Sequence, residues 1–189
     1  NANFEILQDA LFMVCMDDSS NSLQDFGMSL IGTNENNRYF DKNFQLIIDK
    51  NSNVGFNLEH TGADAGPWIS IINSAYAELN HIDKYLEDKS GDTIEVEQLN
   101  WDLTASTKTK LNEVRTKHKS KLEDLHQEII YFNDFGSKTI KSWKVSPDAF
   151  IHLALQLAQY RTFGTLRSTY EAASTRAYLN GRTECSRPI

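Results

Sequence analysis

The sequence predicts a mixed fold, α/β or α+β, with strands and helices in loose alternation. Three patterns lead there. Phe44–Asp49 and Val54–Leu58 are β-prone runs around the turn Lys50-Asn51-Ser52-Asn53, which reads as a hairpin. Ile69, Ile72, Tyr76, Leu79, Ile82 and Leu86 recur at threes and fours, which predicts a helix over residues 68–86. Ser146-Pro147-Asp148 supplies a cap, a proline for the first turn and an acid at the positive helix end.

The remaining elements follow in order. Residues 11–16 read as a buried strand. Ser22, with Asp25 three residues on, resembles a capping box and predicts a short helix to Leu30. Residues 34–38 are a polar loop. Residues 87–98, acidic and poor in apolar side chains, predict a loop and a domain boundary. Residues 99–103 predict a short strand holding Trp101, and Thr104 caps a lysine-rich helix to about Gln127. Residues 129–135 predict another strand. The helix after Pro147 is apolar nearly all round to Arg161, predicting deep burial, and Gly164 ends it. Thr169 starts a last predicted helix, closed by Asn180-Gly181.

Composition narrows the function. A net charge of −7 argues against a general nucleic-acid or anionic-membrane surface, though not against a local anion site. Two cysteines, Cys15 and Cys185, make no disulfide framework. No apolar run approaches the ~20 residues of a membrane span, and no signal peptide is visible. The chain begins at Asn1 without an initiator Met, as a processed or excised piece would.

Three stretches can hold chemistry. His60 ends a strand-like run and stands before Thr61-Gly62-Ala63-Asp64, small residues that leave room for a ligand. Histidine has the unperturbed pKa nearest neutrality, which suits a general base; an acid four residues on is, more often, a local hydrogen bond. Lys138, Lys141 and Lys144 lie three apart just before a helix start, between Gly136 and Ser146-Pro147-Asp148. Such a cluster suits a phosphate, and equally describes a solvated loop. Hydroxyls on Tyr170, Ser174 and Thr183 can donate to an anionic ligand, or belong to a capped helix with a buried tyrosine. His81, His118, His126 and His152 have ordinary helical placements and no supporting motif. No metal ligand set is predicted.

Four motifs, in order, resemble the choline/carnitine acyltransferase family. They are Asn37-Arg38-Tyr39-Phe40-Asp41-Lys42; Glu59-His60; the lysine segment running into Ser146-Pro147-Asp148-Ala149-Phe150; and Thr169-Tyr170-Glu171 with Gly181-Arg182-Thr183-Glu184. The resemblance runs from about Asn37 to Arg187. It implies a chloramphenicol-acetyltransferase-like, two-domain α/β acyltransferase fold, of which this chain is the central part. Residues 1–103 would end the N-terminal domain and bear the catalytic His60. Residues 104–189 would begin the C-terminal domain. A tunnel between domains would admit CoA from one side and carnitine from the other.

The resemblance also implies roles. His60 matches the catalytic base, and Asp64 is expected to orient the loop or pair with an arginine rather than move protons. Lys141 matches a lysine on the CoA 3′-phosphate, inside a CoA-binding segment of Gly136, Lys138, Lys141, Lys144, Ser146 and Asp148. Ser174 aligns with a further CoA contact. Tyr170 and Thr183 match residues that hold the carnitine carboxylate. Several positions depart from the family pattern: Ser137 replaces its Lys and shifts it to Lys138, Thr61 replaces Ser, Gly62 replaces the Trp of long-chain members, and Cys185 replaces Thr.

The implied activity is reversible acyl transfer between CoA and the carnitine hydroxyl, with CoA as substrate and no resident cofactor. The implied partners are acyl-CoA, carnitine and the remaining C-terminal segment, with membrane association of the parent left open. The implied location is mitochondrial, with peroxisome, ER and cytosol as alternatives. Choline O-acetyltransferase activity and a non-catalytic CoA-binding or structural fragment are the competing readings.

Overall fold

Alternation along one strand decides which side of the first sheet is buried. The computed structural model describes residues 2–33, 37–87 and 95–187. Most of the loop expected at residues 87–98, and part of the one at 34–38, lie outside the described residues. The chain divides into two compact units, Asn1–Ile129 and Ile130–Ile189.

The first unit opens with helix α1 (Ala2–Asp9), strand β1 (Met13–Asp17) and helix α2 (Leu23–Leu30). Strands β2 (Phe44–Asp49) and β3 (Val54–Leu58) follow, with β2 central, β1 parallel to it and β3 antiparallel. Gln45, Ile47 and Asp49 of β2 are buried, and Phe44, Leu46 and Ile48 are half-buried. The buried row meets α2, whose Phe26 and Leu30 pack on Cys15 and Ile47. Gly55 stands opposite Ile47 and permits that approach, since a Cβ there would lie 2.5 Å from Leu30 Cδ2. As expected, Ser22 caps α2 by accepting from Asp25 N at 3.0 Å.

The buried polar side chains of Gln45, Lys42 and Asp49 find partners, as burial requires. Gln45 Oε1 accepts from Tyr39 N at 2.7 Å. Lys42 Nζ donates to the carbonyls of Gln8 and Ala10, where α1 ends, at 2.9 and 2.7 Å. Asp49 accepts from Asn51 N, Asn53 N and Asn53 Nδ2, which closes the hairpin turn, and from Ser20 N. Burial opposes ionisation of Asp49, but hydrogen bonds from Asn53 and then Ser20 outweigh it and hold the carboxyl at about 2.

Two strand expectations for this unit need correction. Residues 11–16 are not a buried strand throughout. In β1 only Cys15 and Asp17 are buried, while Val14 and Met16 are 50% and 68% exposed, because β1 is an edge strand with one covered face. Residues 99–103 form no strand. Trp101 instead meets Phe4 edge-on at 5.0 Å, and Asn3 Nδ2 donates to the Asn100 carbonyl at 2.7 Å. The helix expected over 68–86 begins earlier and is broken, as α3 (Ala65–Glu78), a 3₁₀ turn (Leu79–His81) and α4 (Asp83–Glu87). Helix α5 (Ala105–Glu123) starts where expected, with Thr104 Oγ1 accepting from Thr107 N at 3.2 Å.

The second unit contains α6 (Ser137–Ser142), α7 (Pro147–Phe163) and a hairpin of β4 (Glu171–Ser174) and β5 (Thr183–Ser186). Phe135, Trp143 and Phe150 meet with centroids 5.3 to 6.0 Å apart, Phe132 adds a ring edge-on to Phe135, and Ile140 is buried. Residues 129–135 form no strand; Phe132 and Phe135 join this cluster instead.

Helix α7 starts and stops as expected, with Ser146 at its N-cap and Gly164 in the left-handed conformation at its end. Its expected deep burial is wrong: Ile151, Leu153, Leu155 and Leu157 are 49% to 63% exposed. Apolar positions run all round the helix, and two four-residue strands and one six-residue helix offer too little surface to cover them.

The last helix, expected from Thr169, is also wrong. Backbone pairing between β4 and β5 overrides the helical preference of Ala172 and Ala173. Asn180, at φ 58°, and Gly181 close the hairpin rather than a helix. Any side chain at Gly181 would place its Cβ 1.9 Å from the Thr175 carbonyl oxygen. Among the described residues, no helix is long and apolar enough to cross a membrane.

Candidate active site

The hairpin of the first unit delivers His60. Strand β3 ends at Leu58, and Glu59 N still donates to the Asn43 carbonyl at 3.1 Å, which extends the pairing by one residue. Asn57 Nδ2 ties this end to the Leu30 carbonyl of α2 at 2.6 Å. The chain then turns tightly. Glu59 accepts from both Thr61 Oγ1 and Thr61 N. These bonds, the hydroxyl first, hold the Glu59 carboxyl below its ordinary value. His60, next in line, is 73% exposed, and its Nδ1 lies 3.9 Å from Asp64 Oδ1. Asp64 is mostly buried and stands at the N-cap of α3 without capping it through its side chain. At that separation Asp64 is an electrostatic neighbour of the imidazole.

In the second unit the lysine segment lies beside an apolar cluster. Buried Ile140 and the Phe135–Trp143–Phe150 cluster fix α6 from one side. Gly136 is the N-cap residue of α6. Lys138 and Lys141, three apart on one helix, share a face, and both are exposed. Lys144 follows in the left-handed conformation at φ 60°, donating its N–H to the Lys141 carbonyl at 3.0 Å. Ser146 Oγ accepts from Ala149 N, and Asp148 occupies the first turn of α7 with its side chain 73% exposed. The sequence-predicted segment therefore carries three exposed lysines, two of them on one helix face.

The hairpin changes how the hydroxyls relate. Ser174 pairs directly with Thr183 across β4 and β5, so their side chains share a face. Tyr170 just precedes β4, four residues from Ser174, or ~13 Å along an extended strand. The structure thus brings Ser174 to Thr183, and sets Tyr170 apart on the same hairpin. His60 and Asp64 belong to the first unit; the lysine segment and the three hydroxyls belong to the second.

Sequence reasoning missed two clusters. His152 Nε2 lies 3.2 Å from Glu171 Oε1 and 3.9 Å from Asp148 Oδ1. The i,i+4 spacing of Asp148 and His152 was the available signal; Glu171 was hidden by its assignment to a helix. The second is a buried ion pair. Arg38 grips Asp17 with Nη1 to Oδ1 at 3.0 Å and Nη2 to Oδ2 at 2.6 Å, and Asn37 Nδ2 donates to the same carboxylate at 3.0 Å. Arg38 of the Asn37–Lys42 motif thus ties β1 to α2, and Lys42 holds the end of α1.

Comparison with known proteins places these residues in a family. The model of the choline/carnitine O-acyltransferase family matches residues 1–189. The chain is 31% identical to mitochondrial carnitine O-palmitoyltransferase 2 of Macaca fascicularis, over 95% of this chain and 28% of that protein. It is 33% identical to the muscle isoform of human carnitine O-palmitoyltransferase 1, over 98% of this chain and 26% of the relative. Carnitine O-acetyltransferase of Columba livia is 35% identical over 82% of this chain and 24% of its own length. The chain therefore belongs to the choline/carnitine O-acyltransferase family, and spans about a quarter of the length of these curated relatives.

Proposed function

We propose that the protein carrying this chain transfers acyl groups reversibly between CoA and the hydroxyl of carnitine, with His60 as general base. The observation that carries this reading is His60 itself: an exposed imidazole at the end of a fixed hairpin, with Nδ1 turned to a mostly buried carboxylate at 3.9 Å. The family membership and the names of its relatives, carnitine O-palmitoyltransferase and carnitine O-acetyltransferase, support the substrate class.

In this reading Asp64 orients the loop that carries His60 and moves no proton. His60 takes the proton of the carnitine hydroxyl as the oxygen attacks the thioester carbonyl. The C–S bond then breaks, and the proton passes from His60 to the departing CoA thiolate. No acyl-enzyme forms, and reversal starts with deprotonation of the CoA thiol. Lys138, Lys141 and Lys144 offer charge to CoA phosphate, and Gly136, Ser146, Asp148 and Ser174 are further contacts to other parts of CoA. Tyr170 and Thr183 offer hydroxyl donors to the carnitine carboxylate, an anion that is costly to desolvate without partners. The fold proposed for the complete protein is the chloramphenicol-acetyltransferase-like one, and the mitochondrial location is proposed from the name of one relative.

The test is His60→Ala in the full-length protein. General base catalysis contributes roughly 10²–10⁴-fold, so transfer should fall by at least that factor while CoA binding persists. Turnover near the wild-type rate would remove His60 from the mechanism.

A further inference from the structure

Two carboxylates from separate segments converge on one imidazole nitrogen. Asp148 ends the lysine segment, in the first turn of α7. Glu171 opens β4, next to Tyr170 and three residues before Ser174. His152 Nε2 lies between them, 3.2 Å from Glu171 Oε1 and 3.9 Å from Asp148 Oδ1. Both His152 and Glu171 are 28% exposed, so water screens this contact less than it screens the open surface. Glu171 is therefore the nearer ion-pair partner of the imidazole and Asp148 the more distant one.

We propose that His152 is a positioning residue that couples CoA binding to carnitine binding by joining the two ligand segments. The proposal rests on the functional reading above, which gives residues 136–148 to CoA and Tyr170 and Thr183 to carnitine. Asp148 is one turn from His152 on the same helix, so the imidazole moves with the end of the CoA segment. Its contact with Glu171 ties it to the first residue of β4, beside Tyr170 and three residues before Ser174. Ordering either segment by a ligand then lowers the entropy lost when the second ligand orders its own. Without the bridge each segment is ordered separately.

The experiment measures CoA affinity with and without saturating carnitine in the full-length protein, for wild type, His152→Leu, His152→Gln and Glu171→Gln. Wild type should bind CoA at least about fivefold more tightly with carnitine present, the lower end of ordinary site–site coupling. His152→Leu should bring that ratio below about twofold, and raise both KM values more than it lowers kcat. His152→Gln keeps an N–H donor and should retain much of the coupling. Glu171→Gln, which weakens the same contact from the strand side, should lower the ratio even if His152→Leu folds poorly. Independent binding of the two ligands in wild type, or an unchanged ratio in both His152→Leu and Glu171→Gln, overturns the bridge alone. Failure of wild type to bind CoA or carnitine at all overturns the functional reading as well. The donor atoms of Asp148, His152 and Glu171 lie within 4.8 Å of one another, and stoichiometric uptake of zinc by wild type but not by His152→Leu would overturn the direct bridge.

Discussion

Arg38→Met should be among the most damaging single changes in the first unit. The side chains of Arg38 and Asp17 are 1% and 2% exposed, so both charges lie out of water. Arg38 makes two bonds to Asp17 and also donates from Nη2 to the Ser29 carbonyl at 2.8 Å and from Nη1 to the Asn37 carbonyl at 2.7 Å. Methionine fills much of the same volume but supplies none of these donors. The Asp17 carboxylate keeps the Asn37 amide and loses its counter-charge. Breaking one side of a buried pair costs about 3–5 kcal/mol, a large part of the ~5–15 kcal/mol that holds an ordinary domain together. With a urea slope of about 2 kcal/mol/M, the midpoint should fall by roughly 2 M at unchanged slope. The double variant Arg38→Met/Asp17→Leu removes both charges and should recover much of the loss. Lys110→Ala, which breaks the exposed pair with Glu113, is the control and should stay close to wild type. A cost below about 1 kcal/mol for Arg38→Met, or a double variant no better than the single, would refute the reasoning.

Two further outcomes can be checked. Asp49 has a folded value of about 2, lowered from its ordinary one, so its contribution is complete above about pH 4 and is lost as pH falls towards 2; Asp49→Asn should flatten that acid limb in urea unfolding series from pH 5 to pH 2, and an unchanged slope would count against it. Lys141→Ala should weaken CoA by roughly 10-fold or more while leaving dephospho-CoA nearly untouched, because a charge-assisted contact contributes about 1.5–3 kcal/mol; equal loss for both ligands, read by titration, would show that the ammonium does not meet the 3′-phosphate.

Legibility in the sequence followed the range of the interactions. The β2–β3 hairpin and the caps at Ser22, Thr104 and Ser146 were readable because each depends on neighbours a few residues away. The β4–β5 hairpin was not, since Ala172, Ala173 and Asn180-Gly181 suit a helix and its end as well as a hairpin. Only the pairing of Ser174 with Thr183 decides between them. That one error also hid Glu171 from His152, and put Tyr170 and Thr183 at opposite ends of a helix rather than on two arms of a hairpin. The apolar circumference of α7 predicted burial, but burial needs a partner surface, which a helix pattern cannot specify. At the candidate site, His60 was legible from its place at a strand end. The work of Arg38 and Lys42 was not, because a charged motif in a polar loop gives no sign that its partners are buried carboxylate and carbonyl oxygens.

The most direct measurement of the central claim is thiol release from an acyl-CoA by the full-length protein, followed with and without carnitine and with choline in its place. The account predicts release that depends on carnitine, is much slower with choline, and disappears in His60→Ala. Release that ignores carnitine, or that choline supports better, would contradict it.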